Sequence, residues 1–139
     1  LTPKEIAETI ELPSSLRRGY HNRDYYGTVR HNARAVYQYY FGWFDGNPAH
    51  LNALPPAEVG QRYVKLAGGA EAVMQAAQAA FDAADYRWGA ELLNHLVFSG
   101  QASDSARALL ARTYAQMGYP AESGPRRDCC LTAALEPCA

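Results

Sequence analysis

The histidines and cysteines are the side chains of this sequence that most readily bind metals or act as nucleophiles. The histidines are His21, His31, His50 and His95, and the cysteines are Cys129, Cys130 and Cys138. No two histidines have the H-x-H or H-E-x-x-H spacing that directs two imidazoles at one zinc ion. Two adjacent thiols with a distant third also lack zinc-site spacing. We therefore predict no metal site, and interpret the cysteines as structural or incidental.

Other catalytic motifs are missing from the sequence as well. There is no G-x-S-x-G nucleophile elbow, and no glycine-rich loop of the kind that binds a phosphate. His95, in the run ELLNHLVF, lies in an apolar helical pattern and is interpreted as a hydrogen-bonded core or interface residue. We expect this chain on its own to be inactive as an enzyme.

A tyrosine-rich segment is the most unusual feature of the sequence. Its tyrosines are Tyr25, Tyr26, Tyr37, Tyr39 and Tyr40. Tyrosine combines a large apolar ring with a polar tip, which suits core packing or a protein interface. The first two tyrosines, with His31 and Asn32, could equally reach into a binding cleft of a neighbouring domain. His31 is the preferred candidate there because its charge can switch near neutral pH.

Length and composition favour one ordinary domain. The chain has 139 residues, 13 basic and 14 acidic side chains, and 48% hydrophobic residues. The basic residues do not form the stripe that is typical of nucleic-acid-binding proteins. No apolar run approaches the roughly 18 residues that a membrane-spanning helix needs. We predict a single soluble domain over residues 1–139, with no nucleic-acid or membrane partner. The composition is compatible with a cytoplasmic protein and equally with an exported one.

Helical periods and breakers organise the whole chain. Thr2, Pro3 and Glu5 have the spacing of a capping box that opens a helix reaching about Leu12. A loop follows, then a helix from Thr28 to about Tyr40 with one apolar, aromatic face. Glycine, asparagine and proline residues in FGWFDGNP end it.

The pattern of the second half predicts a series of consecutive helices. Helices are predicted after Pro55-Pro56, closed by Gly68-Gly69, and then over residues 70–85, 86–100 and 103–119, with Ser103 or Asp104 as a cap and Gly118 as a stop. The turn AADY recurs as QMGY after 33 residues, close to the tetratricopeptide period. The predicted fold is an all-α bundle of about six or seven helices with a tetratricopeptide-like helical hairpin.

Four long motifs distinguish the sequence, namely Y-Y-G-T-x-x-H-N, G-W-F-D-G-N-P-A-H-L, R-Y-V-x-L-x-G-G and D-Y-R-W-x-A-E-x-L-N-H-L-V-F. They resemble the central helical domain of the zinc-dependent alkyl sulfatases of the metallo-β-lactamase superfamily. The similarity runs from about Thr2 to Thr132. It implies a parent hydrolase that cleaves alkyl sulfate esters to alcohol and sulfate with two zinc ions. The metal ligands of that family follow an H-x-H-x-D-H pattern, which this chain lacks.

The resemblance also implies partners and site residues. The parent would carry a zinc hydrolase domain upstream and a sterol-carrier-like domain downstream, and this domain would form the homodimer. Substrate-site contacts are expected at Tyr26, His31, Asn32, Asp45 and Asn47, of which Asp45 and Asn47 would shape the turn beneath the sulfate end. The expected dimer interface comprises Tyr37, Tyr40, Phe41, Trp43 and Phe44.

The end of the chain departs from the family pattern, because CCLTAALEPCA replaces an expected aromatic pair. Without these two rings the final helix has less apolar area with which to pack on the rest of the domain. Pro137 is expected to end that helix. Two other functions stay open at this point. One is a free-standing tetratricopeptide-like adaptor that binds a peptide, and the other is a small metal-binding protein that uses His21, His31 and the cysteines.

Overall fold

The chain folds into helices joined by short turns. A computed structural model describes residues 1–136, and within them there are nine α-helices, one 3₁₀ turn at Tyr20–Asn22 and no strand. The helices are α1 Pro3–Thr9, α2 Ser14–Arg17, α3 Val29–Phe41, α4 Pro48–Leu51, α5 Pro56–Leu66, α6 Ala70–Asp82, α7 Tyr86–Phe98, α8 Asp104–Gly118 and α9 Gly124–Leu135. The all-α prediction is confirmed.

The prediction of about six or seven helices left out α2 and α4. Each has only four residues, which is too short to show an apolar period. Both begin at a proline: Pro13 is the N-cap of α2, and Pro48 is the first residue of α4. Proline favours a helix start because its φ is already close to the helical value. These segments were expected to be loops.

Helix α1 has the predicted start but a different end. The Thr2 hydroxyl accepts a hydrogen bond from the Glu5 backbone N–H at 3.3 Å, and the Glu5 carboxylate accepts one from the Thr2 N–H at 2.6 Å. The helix ends at Thr9 rather than near Leu12. Thr9 donates its hydroxyl to the Glu5 carbonyl at 3.1 Å, and Ile10 is already extended. A hydroxyl that satisfies a last-turn carbonyl competes with continuation of the helix.

Two compact units divide the chain. Unit 1 comprises Leu1–Ala53 with Glu122–Arg126, and unit 2 comprises Leu54–Ala121 with the residues from Arg127 onward. In unit 1, α1 packs on α3. The assignment of residues 1–139 to one domain stays a prediction.

Unit 2 contains a continuous apolar core. Helix α7 packs on α5, α6 and α8, and the cluster consists of Val64, Val73, Ala77, Leu93, Leu96, Ala106, Leu109 and Leu110. Helices α5 and α7 approach closely at Gly60. A Cβ atom there would lie 2.6 Å from the His95 carbonyl oxygen and 2.9 Å from the Ser99 backbone nitrogen. The contact between the two helices therefore requires glycine.

The hairpin between α6 and α7 lies in the region of the predicted tetratricopeptide-like unit. Its turn places Ala84 at φ 59°, and Asp85 caps α7 by accepting the Trp88 backbone N–H at 3.3 Å. The matching segment 33 residues later ends α8 at Gly118, as predicted. A Cβ atom on Gly118 would lie 2.9 Å from Leu131 and 3.2 Å from Cys130, so the end of α8 packs closely on α9.

Both Cys129 and Cys130 lie inside α9, which forms despite the missing aromatic pair. Cys129 is exposed and Cys130 is half-buried. Pro137 and Cys138 lie outside the described residues.

Candidate functional site

Helix α3 and the turn after it expose an unusual number of aromatic rings. Tyr39, Tyr40, Phe41 and Trp43 are 83%, 73%, 72% and 70% exposed, and Val36 beside them is also exposed. We call these five residues the aromatic surface. Of the other predicted interface residues, Tyr37 and Phe44 are half-buried.

Neighbouring rings of this region support one another. Tyr37 and Phe41, one helical turn apart, have ring centroids 5.0 Å apart, and Tyr39 and Tyr40 meet edge to face at 5.1 Å. Trp43 and Phe44 pack at 5.7 Å. Ring pairs at these distances favour defined relative orientations of the two rings.

An apolar groove runs between α1 and α3. Its volume is about 470 Å³. We call it the α1–α3 groove; it is lined by Ile6, Ile10, Leu12, Val29, Asn32, Ala33, Val36, Tyr37, Tyr40 and Phe41. None of these side chains carries a charge, and Asn32 is the one amide among them. Three predicted interface residues, Tyr37, Tyr40 and Phe41, therefore line this groove.

The start of α3 brings Thr28, His31 and Asn32 together. Thr28 is the N-cap and accepts the His31 backbone N–H at 3.2 Å, while its hydroxyl lies 2.6 Å from His31 Nδ1. A threonine beside an imidazole can resemble a nucleophile and its base. Here Thr28 is buried, and its hydroxyl caps the N-terminus of α3. The arrangement is a cap that orients the His31 ring and leaves Nε2 for another partner.

Tyr26 is exposed just before this cap, and the side chain of Asn32 lies over Gly27. A Cβ atom on Gly27 would lie 2.7 Å from Asn32 Oδ1, so glycine is needed for this packing. Desolvation, followed by a hydrogen bond with Tyr20, raises the pKa of the neighbouring Tyr25. The structure thus groups three of the predicted substrate contacts around one helix start.

A distant segment holds the residues that precede this helix. Ser123 donates its hydroxyl to the Tyr26 carbonyl, and the Gly124 N–H donates to the Tyr25 carbonyl at 2.9 Å. Arg23 and Glu122 form an ion pair. Sequence reasoning did not identify this tether, because no local pattern relates residues about 100 positions apart.

Asp45 and Asn47 form a second group, together with His50. Asp45 accepts the Asn47 backbone N–H at 3.0 Å and lies 2.6 Å from His50 Nδ1, and Asn47 accepts the Ala49 N–H at 3.0 Å. The Asn47 N–H, followed by the His50 ring, lowers the pKa of Asp45. His50 was not predicted for this role, although its position five residues after an aspartate in a turn offered a weak signal. These bonds hold the turn that follows Trp43 and Phe44.

Unit 2 has a separate apolar groove of about 440 Å³ beside α5 and α7. The ring of His95 stacks on Tyr63 with centroids 4.6 Å apart. His95 is half-buried and Tyr63 is exposed, so the pair lies at the surface of unit 2 rather than in its core. Trp88 and Glu91 also line this groove.

Within residues 1–136 there is no group of three or more histidine, cysteine, aspartate or glutamate side chains placed to hold a metal ion. His21 lies in the 3₁₀ turn, His31 in α3 and Cys129 in α9. The same range contains no helix long and apolar enough to cross a bilayer.

The chain is similar over nearly its full length to proteins several times longer. It is 47% identical to a linear primary-alkylsulfatase of Pseudomonas sp., covering 97% of this chain and 20% of that protein. It is 49% identical to an (R)-specific secondary-alkylsulfatase of Pseudomonas sp., covering 98% and 21%, and 44% identical to an alkyl/aryl-sulfatase of Saccharomyces cerevisiae, covering 97% and 21%. The chain thus spans about a fifth of the length of these relatives.

Comparison with a solved structure supports the same relationship to the alkylsulfatases. The stereoselective inverting sec-alkylsulfatase of Pseudomonas sp. superposes with a TM-score of 0.95 at 48% identity, over 99% of this chain and 22% of that one. The family described as alkyl sulfatase dimerisation matches residues 2–137. These findings support the resemblance seen in the motifs and do not support a free-standing adaptor. The chain belongs to the alkyl sulfatase dimerisation family.

Proposed function

We propose that this chain is the homodimerisation domain of an alkyl sulfatase, a longer enzyme that hydrolyses alkyl sulfate esters to alcohol and sulfate. The support is the match to the dimerisation family over residues 2–137, together with relatives that are named alkylsulfatases and of which the chain spans a fifth.

The exposure of the aromatic surface is the main structural argument for self-association. Its four rings, at about 200 Å² per aromatic side chain, expose roughly 600 Å². The largest apolar patch of an ordinary monomer is about 300–600 Å², and each partner of a standard interface buries about 800 Å². The rings alone therefore supply most of one side of an interface.

The proposal is tested by the mass of the chain in solution. We expect twice the 15.3 kDa of one chain in light scattering at micromolar concentrations. Phe41→Asp should shift the protein towards monomer, because a carboxylate buried without a partner costs several kcal/mol. Leu66→Asp is the matched control, since Leu66 is 82% exposed on α5 in unit 2 and should leave the mass unchanged. A monomer throughout the micromolar range would overturn the proposal.

The described residues, 1–136, contain no group of three or more histidine, cysteine, aspartate or glutamate side chains placed to hold a metal ion, and so these residues do not fit a zinc centre. We propose that the two zinc ions of the parent enzyme lie in its hydrolase domain, outside this chain, and that a sterol-carrier-like domain belongs to the same parent. Elemental analysis should show stoichiometric zinc in the full-length enzyme and none in this chain. Stoichiometric zinc in the purified chain would contradict this assignment.

The group around the start of α3 is proposed to face the sulfate end of the substrate. The Tyr26 hydroxyl, the His31 ring and the Asn32 amide can all donate hydrogen bonds, and they lie at the positive end of a 13-residue helix. In this proposal Asp45 and Asn47 shape the turn beneath the sulfate end. His31→Gln in the full-length enzyme should raise KM or lower kcat about 10-fold or more, whereas His21→Gln should leave both unchanged. Equal KM and kcat values for the two variants would contradict the assignment of His31 to the substrate site.

A further inference from the structure

We infer that the Trp43–Phe44 pair of one copy inserts into the α1–α3 groove of a second copy, and that the second copy inserts its own pair reciprocally. We call Trp43 and Phe44 the aromatic knob. This inference rests on the proposed homodimer and names the contact that builds it.

The groove suits an aromatic occupant. It has about 470 Å³ of space, and its lining carries no charged side chain. The ion pair of Arg30 with Glu8, at 2.9 Å, joins α3 to α1 and is satisfied within the chain. A ring that enters the groove would displace water from apolar surface without leaving a charge unpaired, which is the favourable case for burial.

The knob is already ordered in the single chain. Gly42 ends α3 at φ 79°, a conformation that favours glycine, and directs the chain out of the helix. Trp43 then packs on Phe44 yet stays 70% exposed, and the Asp45–Asn47–His50 bonds hold the turn that follows. Because the knob is ordered before binding, it loses little conformational entropy when it inserts.

Symmetry makes the contact reciprocal. In a two-fold dimer the same patch occurs on both copies, so each contact occurs twice. The knob begins two residues after Phe41, which lines one end of the groove, and both features belong to unit 1. A knob and a groove on one compact unit can form a closed pair in which each copy fills the other.

The groove of unit 2 is the competing site, and it fits the knob less well. Glu91 lines this groove. Within residues 1–136 its carboxylate has no cationic nitrogen within the 4.0 Å of an ion pair. Covering that carboxylate with an indole ring would desolvate a charge without compensation. The α1–α3 groove has no such cost.

The test uses Trp43 as its own reporter. The chain has two tryptophans, Trp43 and Trp88, so Trp88→Phe leaves Trp43 as the single emitter. We expect its emission to shift to shorter wavelength, and its acrylamide quenching to fall, as the concentration rises through the dimer Kd. Trp43→Ala should raise that Kd about 30-fold or more, as expected for a central aromatic anchor. Trp88→Ala, on α7, should leave Kd unchanged.

A mixing experiment separates insertion from indirect effects. Val36→Trp should fill the groove while leaving the knob intact, and Trp43→Ala removes the knob while leaving the groove open. Each variant alone should dimerise weakly, whereas their mixture should form a heterodimer more tightly than either homodimer, because one knob–groove contact is restored. Far-ultraviolet circular dichroism should show unchanged helix content in both variants.

The outcomes distinguish this inference from the proposed function. A chain that is monomeric at all concentrations overturns both. A stable dimer in which Trp43 remains fully quenchable, and Trp43→Ala leaves Kd unchanged, overturns the knob–groove contact and leaves homodimerisation standing.

Discussion

The two compact units of this chain bury their apolar residues to very different extents. Unit 2 covers an eight-residue core in which Leu93 is 0% exposed. In unit 1, within residues 1–136, Ala7 is the one apolar side chain that is fully buried, while the aromatic surface faces solvent. The difference shows that unit 2 has an apolar core of its own, whereas unit 1 leaves its largest apolar groups exposed in the single chain.

This contrast predicts two kinds of stability. Burial inside one chain stabilises it at any protein concentration. Burial between copies stabilises it only when the concentration exceeds Kd, by an amount that grows with the logarithm of the ratio of concentration to Kd.

Leu93→Ala should lower the free energy of unfolding by about 2–5 kcal/mol, because it leaves a cavity at the centre of unit 2. Denaturant titration should give the same loss at low and high protein concentration. Leu66→Ala, at an exposed position of α5, should change stability by no more than about 0.5 kcal/mol. Equal losses for the two variants would contradict the core assignment.

Gly60→Ala should lower the free energy of unfolding by about 1–3 kcal/mol. The new methyl group would meet backbone atoms of α7 rather than a side chain that can rotate away, so the helices must separate. Gln61→Ala, the next residue of α5, is the control and should be nearly neutral. Stability that rises in Gly60→Ala would show that α5 and α7 are not in close contact.

Tyr40→Ala should act only where the chain is dimeric. Above the dimer Kd we expect a loss of about 1 kcal/mol or more per chain, and below it a change within about 0.5 kcal/mol, because this ring is exposed in the single chain. Thermal unfolding at two concentrations checks both parts. A loss that is the same at both concentrations would place Tyr40 in an internal contact.

Ala84→Gly should raise the free energy of unfolding by up to about 1 kcal/mol. Ala84 has φ 59° in the turn between α6 and α7, where a Cβ atom costs about 1–2 kcal/mol, and the extra freedom of glycine in the unfolded chain offsets part of the gain. Ala83→Gly, at a neighbouring position with φ −81°, should instead destabilise the chain. Both effects should be independent of protein concentration, since they arise in unit 2.

Acid should loosen the turn after the aromatic knob. Since the folded-state pKa of Asp45 is lowered, its bonds to Asn47 and His50 contribute fully above the ordinary carboxyl pKa of about 4. The contribution is lost as pH falls through the lowered folded-state pKa. The dimer Kd should therefore rise as the pH falls from about 5 to about 3. Asp45→Asn should have a higher Kd at neutral pH and a weaker dependence on acid, and identical profiles would contradict this role.

Much of the secondary structure followed from local signals. The capping box of Thr2 and Glu5 and the glycine stop after Phe41 were both predicted from the sequence, because a helix end depends on a few neighbouring residues. The sequence placed the start of α3 near Thr28, and the structure added that Thr28 is its N-cap. The four-residue helices α2 and α4 gave no periodic signal. The end of α1 was placed too late, because the hydroxyl of Thr9 competes with the helix in a way that apolar periodicity does not show.

The candidate site was predictable only in part. The motif around Tyr26, His31 and Asn32 indicated which residues to examine, and the structure groups them at one helix start. The role of His50, the tether from Ser123 and the groove between α1 and α3 each depend on which segments meet in three dimensions. No window of the sequence contains that information.

By itself, the sequence determined the helical class, the main helix boundaries and the family, because each of these depends on residue types at short, regular spacings. Only the tertiary structure decided which apolar residues are covered. Val64 and Leu93 are buried in unit 2, while the equally apolar Phe41 and Trp43 stay exposed in unit 1. Burial depends on what packs against a side chain, and within residues 1–136 nothing covers Phe41 and Trp43 as the helices of unit 2 cover Leu93.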